Sequence, residues 1–348
     1  MDREKDRIGI IFGGISSEYG VSLLSAETLL KAIDRSRHEI RCIGITKNGI
    51  WNITTASPED IAADKWLGAS RQVTPVEALA DLDFAFPVMH GRYGEDGEIQ
   101  GLFELLQIPY AGSGVHGSSL AMDKCSAKRV FRACGIPTSN FVYIDGDRLA
   151  QYMNRYCEEC EAELGYPMFV KPANSGSSIG ISRITNRMEL EEAILTAQKY
   201  DHRIIVEESI NGRELEVGVI GNSFAECSCV GEITHTGGFY DYESKYTSES
   251  PIEIVIPAPI DDELSLTIQK TAVRAYHALD CAGFARVDFL VDMEAGVAYV
   301  NEINTIPGMT QYSMFPMLWQ HQNVSFTDMI ETLIHFGYQA HQRFQEVR

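Results

Sequence analysis

The first third of the chain alternates two hydrophobic rhythms. "RIGIIFGG" (7–14), "HEIRCIGITK" (38–47) and "DLDFAFPVMHG" (81–91) are short apolar runs of the kind that form buried strands. Between and after them, "EYGVSLLSAETLLKAI" (18–33) and the start of "GLFELLQIPYAGSG" (101–114) space their apolar residues three and four apart, as helices do. Strand and helix taking turns predicts a parallel sheet covered by helices, with ligands gathered beyond the carboxyl ends of the strands. "GGISSE" and "MHGRYGEDG" both fall there. The pattern then predicts one helix over "SLAMDKCSAKRVFRACG" (119–135), stopped by Gly135 and Pro137.

A second unit follows. "NFVYID", a helix over roughly 147–164, "YPMFVKPA", "GISRIT", a helix from about Met188 to Tyr200 and "HRIIVEESI" give β-α-β-β-α-β, the order of a small α+β domain. From "RELEVGVIG" onward the chain is β-rich, interrupted by the helix "ELSLTIQKTAVRAYHALD" and closed by a terminal helix. The segment "THTGGFYDYESKYTSESPIEI" mixes aromatic, charged and glycine residues as functional loops do.

At 348 residues the chain is too long for one ordinary core and reads as two or three domains. With 45% hydrophobic and 22% charged residues and no apolar run long enough to span a bilayer, it reads as globular and soluble. The N-terminal "MDREKDRIGIIFGG" lacks the apolar core and small-residue cleavage site of a secretory signal, so a cytoplasmic location is expected. Twenty-nine basic against 49 acidic residues, a net charge of −20, argues against duplex nucleic acid as a partner. Small anions can still bind where lysines and helix N-termini enclose them.

Three local motifs need weighing. "KPANSGSSIG" (171–180) contains G-x-S-x-G, with Ser178 where a serine hydrolase would carry its nucleophile. A nucleophile elbow is a strand-turn-helix, whereas here another β-type run follows. The loop therefore reads as a hairpin whose backbone N–H groups, hydroxyls and Lys171 close over phosphates. "GSGVHG" (112–117) matches G-x-G-x-x-G but comes late in the alternating unit and lacks a ribose-binding acid downstream. Cys157 and Cys160 form C-x-x-C inside a helical pattern, which favours buried thiols over redox or zinc chemistry. There is no P-loop.

"ARVDFL" and "NEINTIPGMT" carry the strongest constellation. Strand alternation puts Arg286 with Asp288 on one face, and Glu302 with Asn304 on another. If the two strands pair, three oxygen-bearing side chains and an arginine meet, a donor set suited to Mg²⁺ on ATP phosphates. The alternative is a solvated face with an ordinary salt bridge. Carboxylates set among apolar residues favour the metal site, because burying them unpaired is costly.

With those residues in view, the chain resembles the ATP-grasp carboxylate-amine ligases, and within them the D-alanine-D-alanine ligases. "GGISSEYGVSLLSA" is similar to that family's N-terminal substrate loop, and "MHGRYGEDGEIQG" to its second signature. "KPANSGSSIG" is similar to its phosphate flap, and "GFARVDFLV … NEINTIPGMT" to its metal-binding strands. The resemblance implies an ATP-grasp fold: a parallel α/β substrate domain (1–116), a small central α+β subdomain (117–208) and a C-terminal mixed β-sheet subdomain with an omega-type loop (209–348). It also implies a homodimer, D-alanine and ATP as substrates, no membrane partner, and two Mg²⁺ or Mn²⁺ ions on Asp288, Glu302 and Asn304. The role implied is peptidoglycan precursor synthesis.

By the same resemblance, Glu18 with nearby His90 holds the first D-alanine, and Glu18, Ser177 and Tyr246 tie the N-terminal domain, flap and loop together. Lys124, Lys171, Ser177 and Ser178 hold the ATP phosphates. Glu207, Glu208 and Ile210 hold adenine, Glu214 the ribose, and Asn301 and Glu302 complete the nucleotide site. Arg286 and the backbone N–H of Gly308 serve the oxyanion, and Lys245, Ser313 and Met314 the second substrate. Without the resemblance, Glu18 reads as a first-turn acid and His90 as a satisfied core imidazole. Gly20 loosens the turn after Glu18 by about 1 kcal/mol relative to alanine.

Related vancomycin-resistance ligases use D-lactate or D-serine. The D-lactate type lacks the loop pattern "YDYESKY", intact here at 240–246, so the resemblance implies an amine nucleophile, and the apolar Met314 in "TQYSMFP" favours a methyl over a hydroxymethyl group. One small group in an apolar pocket is worth only about 1–3 kcal/mol, so D-alanine-D-serine ligation stays open as the alternative. A non-catalytic nucleotide-binding protein on the same scaffold should have lost a metal ligand or the arginine, and none is missing.

Overall fold

In the computed structural model, which describes residues 5–176, 179–235 and 252–346, three sheets carry the chain. The first contains β1 (Asp6–Gly13), β2 (His38–Ile45), β3 (Trp51–Thr54), β4 (Ser70–Gln72) and β5 (Phe84–Pro87), in the order β4-β3-β2-β1-β5. Strands β2, β1 and β5 are parallel, as the alternating pattern predicts. Strands β3 and β4 run antiparallel, a departure from the all-parallel expectation. The cause is the short 46–50 connection, which cannot cross over a sheet. Thr46 Oγ1 accepts from the Asn48 and Ile50 amides there, and Gly49 takes φ +77°.

Helix α1 (Tyr19–Ala32) covers this sheet, with the short α2 (Pro58–Ala62) and α3 (Pro75–Leu79) at its edge and α4 (Glu98–Leu105) following. The region predicted as one helix is two, α5 (Val115–Met122) and α6 (Lys124–Ala133), broken at Asp123. Asp123 leaves helical geometry and caps α6, accepting from the Ser126 amide at 2.7 Å. The same carboxylate takes Arg203 Nε at 2.6 Å and Asn174 Nδ2 at 3.2 Å.

The second sheet is built from β6 (Phe141–Asp145), α7 (Leu149–Glu163), β7 (Met168–Pro172), β8 (Ser182–Ile184), α8 (Arg187–Gln198) and β9 (Arg203–Glu208). Its order is β6-β9-β7-β8, antiparallel throughout. Strands β7 and β8 pair antiparallel on either side of the G-x-S-x-G stretch, so a strand follows it and not the helix of a nucleophile elbow. Cys157 and Cys160 are buried in α7 within this unit's core, and all eight cysteines are free thiols.

The third sheet holds β10 (Arg213–Ile220), β11 (Glu226–His235), β12 (Ile252–Val255), β13 (Phe284–Asp292) and β14 (Val297–Asn304), ordered β12-β11-β10-β13-β14. Helix α9 (Asp262–Ala278) covers one face together with Phe131 of α6. Two C-terminal helices, α10 (Met314–His321) and α11 (Phe326–Glu346), return to the first sheet. Ile330 and Leu333 share one buried cluster with Ile8, Phe12 and Leu29, and Phe284 and Phe315 join it. This shared core fixes the first sheet against the third. Gly117 of "GSGVHG" lets α5 pack on the turn after α9, since a Cβ there would sit 2.5 Å from the Asp280 carbonyl oxygen. Among the described residues no helix is long and apolar enough to cross a membrane.

Replacing Asp123 by alanine removes the α6 cap and strands Arg203. The expected loss is about 2–3 kcal/mol of unfolding free energy, read as a lower urea midpoint with an unchanged slope.

Candidate active site

After β1 the chain turns through Gly13 and Gly14, at φ +85° and +104°, into the segment that carries Glu18. Ser16 sets its direction, donating to the His90 carbonyl at 2.8 Å and accepting from the Glu18 amide at 3.1 Å. Glu18 precedes α1 and makes no capping bond with its side chain. Its carboxylate faces Gly91 and Gly176, where a Cβ on Gly176 would lie 2.6 Å from Oε2. Gly20 is helical with open space beside it, so the helix forms despite it.

Opposite Glu18, α6 begins with Lys124. Its ammonium donates to the Ser175 carbonyl at 2.7 Å and pairs with Glu302 at 3.2 Å. One side chain thus joins the β7–β8 hairpin loop to β14. Burial works against the charge, but Glu302 outweighs it and holds the Lys124 pKa above its ordinary value. A narrow cavity of about 30 Å³ lies among Glu18, Lys124, Gly176, Glu302 and Asn304, room for roughly one water. All three sheets or their loops contribute to it. Ser175 and Gly176 of the hairpin loop therefore rest against the site, where Lys124 and Glu302 satisfy each other's charge.

Strands β13 and β14 pair antiparallel with Arg286 opposite Asn304 and Asp288 opposite Glu302. The four side chains share one face, as alternation predicts. Arg286 grips Asp288 in bidentate fashion, Nε to Oδ1 and Nη2 to Oδ2 both at 2.7 Å, and also pairs with Glu216 at 3.0 Å. Asn304 Nδ2 donates to Asp288 Oδ2 at 2.9 Å. Burial opposes the guanidinium charge, yet Asp288 and Glu216 drive the Arg286 pKa well up. Among the described residues no group of three His, Cys, Asp or Glu side chains forms a metal cluster. The oxygen set is two carboxylates and one carboxamide, which fits a hard divalent cation and not zinc.

A second buried charge cluster lies on β9. Lys171 of β7 donates to Glu207 Oε2 at 2.8 Å, and Lys128 of α6 stands 3.5 Å from Oε1. Burial would raise the Glu207 pKa, but Lys128 and Lys171 outweigh it and hold it below the usual carboxylate range. Glu208 accepts from the Asn140 amide at 2.6 Å. Ile210 follows β9, Glu214 is exposed on β10, and Asn301 is half-buried on β14. Lys128 escapes the sequence reading, although its spacing of four from Lys124 places both on one helix face.

His90 is 3% exposed, with both ring nitrogens partnered. Nδ1 lies 2.9 Å from the Ile306 carbonyl and Nε2 2.8 Å from Ser25 Oγ. Burial lowers its pKa and keeps it neutral. Glu95, also missed in the sequence, takes the Gly91 amide at 2.9 Å and the Ile306 amide at 3.1 Å. Burial, reinforced by Glu18, pushes its carboxyl up to about 8. The field of Arg286 reaches both groups, so the N-terminal acids and the β13 arginine act in one electrostatic environment.

Gly308 lies in the loop after β14, next to Ser313 Oγ, which pairs with Thr310 Oγ1 at 2.8 Å. Met314 is buried beside Gly231 of β11. Arg286, Asp288, Gly308, Ser313 and Met314 do not line the small cavity beside Glu18. Ser177, Ser178, Lys245 and Tyr246 lie outside the described residues, as does the tie among Glu18, Ser177 and Tyr246.

Residues 7–113 match a family model described as D-ala D-ala ligase N-terminus, and residues 130–335 one described as D-ala D-ala ligase C-terminus. A D-alanine-D-alanine ligase from Thermoanaerobacter pseudethanolicus is 41% identical, the match covering 97% of this chain and 98% of that one. One from Geobacillus thermodenitrificans is 41% identical, over 99% and 98%. Two solved structures superpose closely. The VanG D-Ala:D-Ser ligase from Enterococcus faecalis gives a TM-score of 0.87 at 37% identity, over 96% of this chain and 99% of that one. The D-alanine-D-alanine ligase from Coxiella burnetii gives 0.86 at 30%, over 99% and 97%.

The buried Glu95 has a consequence for stability. A carboxyl whose folded pKa exceeds its unfolded value stabilises fully below the unfolded value, and that contribution disappears as pH rises through the folded one. The Glu95 contribution should therefore be lost between pH 4.5 and about 8, against the opposite slope that buried His90 adds below 6.5, and Glu95→Gln should remove the Glu95 part alone. Urea midpoints at pH 5 and pH 8 for both proteins measure it.

Proposed function

Because the chain belongs to the D-alanine-D-alanine ligase family, we propose that it uses ATP to join two D-alanine molecules into D-alanyl-D-alanine for peptidoglycan precursor synthesis. The observation that carries this reading is the face of β13 and β14. Arg286, Asp288, Glu302 and Asn304 sit together there, bound through Lys124 to a Gly/Ser hairpin loop and lying close to Glu18.

In the first step the carboxylate of one D-alanine attacks the γ-phosphorus of ATP; the bond to the β–γ bridging oxygen breaks, giving D-alanyl phosphate and ADP. Two anions must meet, so the chain has to supply positive charge and alignment. In this reading Lys124 and Lys171 exchange their carboxylate partners, Glu302 and Glu207, for phosphate oxygens. Glu18 accepts the ammonium of the first D-alanine, in a position set by Ser16. In the second step the amine of the other D-alanine, after losing a proton, attacks the acyl carbon, and the C–O bond to phosphate then breaks. Arg286 and the Gly308 N–H serve the tetrahedral oxyanion in this reading.

Asp288, Glu302 and Asn304 would hold the divalent ions, two Mg²⁺ or Mn²⁺, whose chemistry is to neutralise phosphate charge. Glu207, Glu208 and Ile210 are assigned to adenine, Glu214 to the ribose, and Asn301 to the nucleotide site. Ser177 and Ser178 are assigned to the flap, Tyr246 to the tie with Glu18, and Lys245, Ser313 and Met314 to the second substrate. Domains at 1–116, 117–208 and 209–348, a homodimer and a cytoplasmic location complete the proposal. The family resemblance supports them.

Phosphate release from ATP, measured with D-alanine alone, with D-alanine plus D-serine, with D-alanine plus D-lactate and with L-alanine, is the test. D-Alanine alone should support rapid release and yield the dipeptide. Release only when D-serine is added to D-alanine would replace the second substrate, and no release with any of the four would overturn the ligase reading.

A further inference from the structure

The loop that leaves β14 is held by side chains more than 200 residues away in sequence. The Ile306 peptide is gripped on both sides. Its N–H donates to Glu95 Oε2 at 3.1 Å, and its carbonyl accepts from His90 Nδ1 at 2.9 Å. A carbonyl can only accept, so the proton of the neutral ring sits on Nδ1 and Nε2 is the acceptor. Ser25 must then donate its hydroxyl to Nε2, at 2.8 Å. That leaves Ser25 Oγ lone pairs for the Met309 amide, at 3.3 Å. Glu95 is itself fixed by the Gly91 amide on its other oxygen. The result is a closed chain of donors and acceptors running from Ile306 through His90 and Ser25 to Met309, with Glu95 as a second arm.

Only Pro307 and Gly308 lie between the two gripped residues. Proline fixes its own φ and offers no N–H, so with Ile306 and Met309 held, the orientation of the Gly308 peptide has little freedom left. Ser25 is fully buried, His90 is 3% exposed and Glu95 8%, and the backbone groups they satisfy have no water to fall back on. The grip comes from α1 and from the loop after β5.

We propose that Ser25, His90 and Glu95 are positioning residues, a clamp by which the first sheet's unit sets the Gly308 N–H for the second chemical step. The catalytic half of this statement rests on the ligase reading; the clamp itself does not. It predicts that losing an arm harms the tetrahedral stage far more than nucleotide binding, because an oxyanion donor acts only where charge develops.

The experiment uses full-length Ser25→Ala and Glu95→Gln proteins, with Ser25→Thr as the variant that keeps the hydroxyl. Hydrogen exchange of the peptide spanning 305–310 is read first, independently of activity. Exchange should accelerate about tenfold or more in Ser25→Ala and Glu95→Gln, while Ser25→Thr stays near wild type. In the same proteins kcat should fall about tenfold or more with KM for ATP within about twofold, and affinity for a phosphinate dipeptide analogue of the tetrahedral stage should fall in step with kcat. Unchanged exchange in both variants overturns the clamp, as does equal loss in Ser25→Thr and Ser25→Ala. Accelerated exchange with unchanged kcat overturns the catalytic half. If Ser25→Ala does not fold, Glu95→Gln carries the same three readings. Wild-type protein that releases no phosphate with D-alanine, alone or with D-serine or D-lactate added, refutes the ligase reading and leaves the exchange result to decide the clamp.

Discussion

Among the described residues, the cations at the centre of this molecule are paired with carboxylates, and that constraint shapes the rest. Lys124 is on Glu302, Lys171 and Lys128 are on Glu207, and Arg286 is on Asp288 and Glu216. A buried charge without a partner costs several kcal/mol, on the order of what a whole domain has in net stability. The three sheets can therefore close on one another only if their charges match. A chain with a net charge of −20 has acids to spare for this purpose. An anionic ligand entering such a site does not meet free positive charge; it has to exchange places with a carboxylate. Whatever carboxylate is released must find a new cation, and a divalent ion accompanying a nucleotide answers that need at the side-chain oxygens of Asp288, Glu302 and Asn304 on β13 and β14.

This accounts for the order in which the chain assembles its site. Asp123 breaks what would be one helix, and in doing so aims Lys124 out of the first turn of α6 toward the hairpin loop and β14. The core shared by α11 with the first sheet fixes the distance between Glu18 and the β14 loop. The hydrogen bonds from Ser25, His90 and Glu95 then set the backbone of that loop. Packing supplies placement to within an ångström or so, and the polar contacts define direction.

Much of this was legible in the sequence where a local rule sufficed. Two-residue alternation put Arg286 with Asp288 and Glu302 with Asn304, and the strand following "SGSSIG" excluded a nucleophile elbow. Long-range contacts were not legible. Lys128 and Glu95 are ordinary residues in their own helix and loop, and become functional candidates only because distant segments bury them against Glu207 and Ile306. The antiparallel edge formed by β3 and β4 was missed because an apolar run carries no strand direction; only the five-residue connection did. Asp123 was read through as helix because its neighbours are good helix formers, and its release depends on Arg203, 80 residues later.

The exchange of partners at Lys124 can be measured directly by titrating ADP into wild-type and Glu302→Gln protein, with and without a divalent cation. Without the cation, removing the Glu302 charge frees Lys124, so Glu302→Gln should bind ADP several-fold more tightly than wild type; with Mg²⁺ present the order should reverse, because a metal ligand is gone. Weaker or equal binding by Glu302→Gln in the absence of metal would contradict the account.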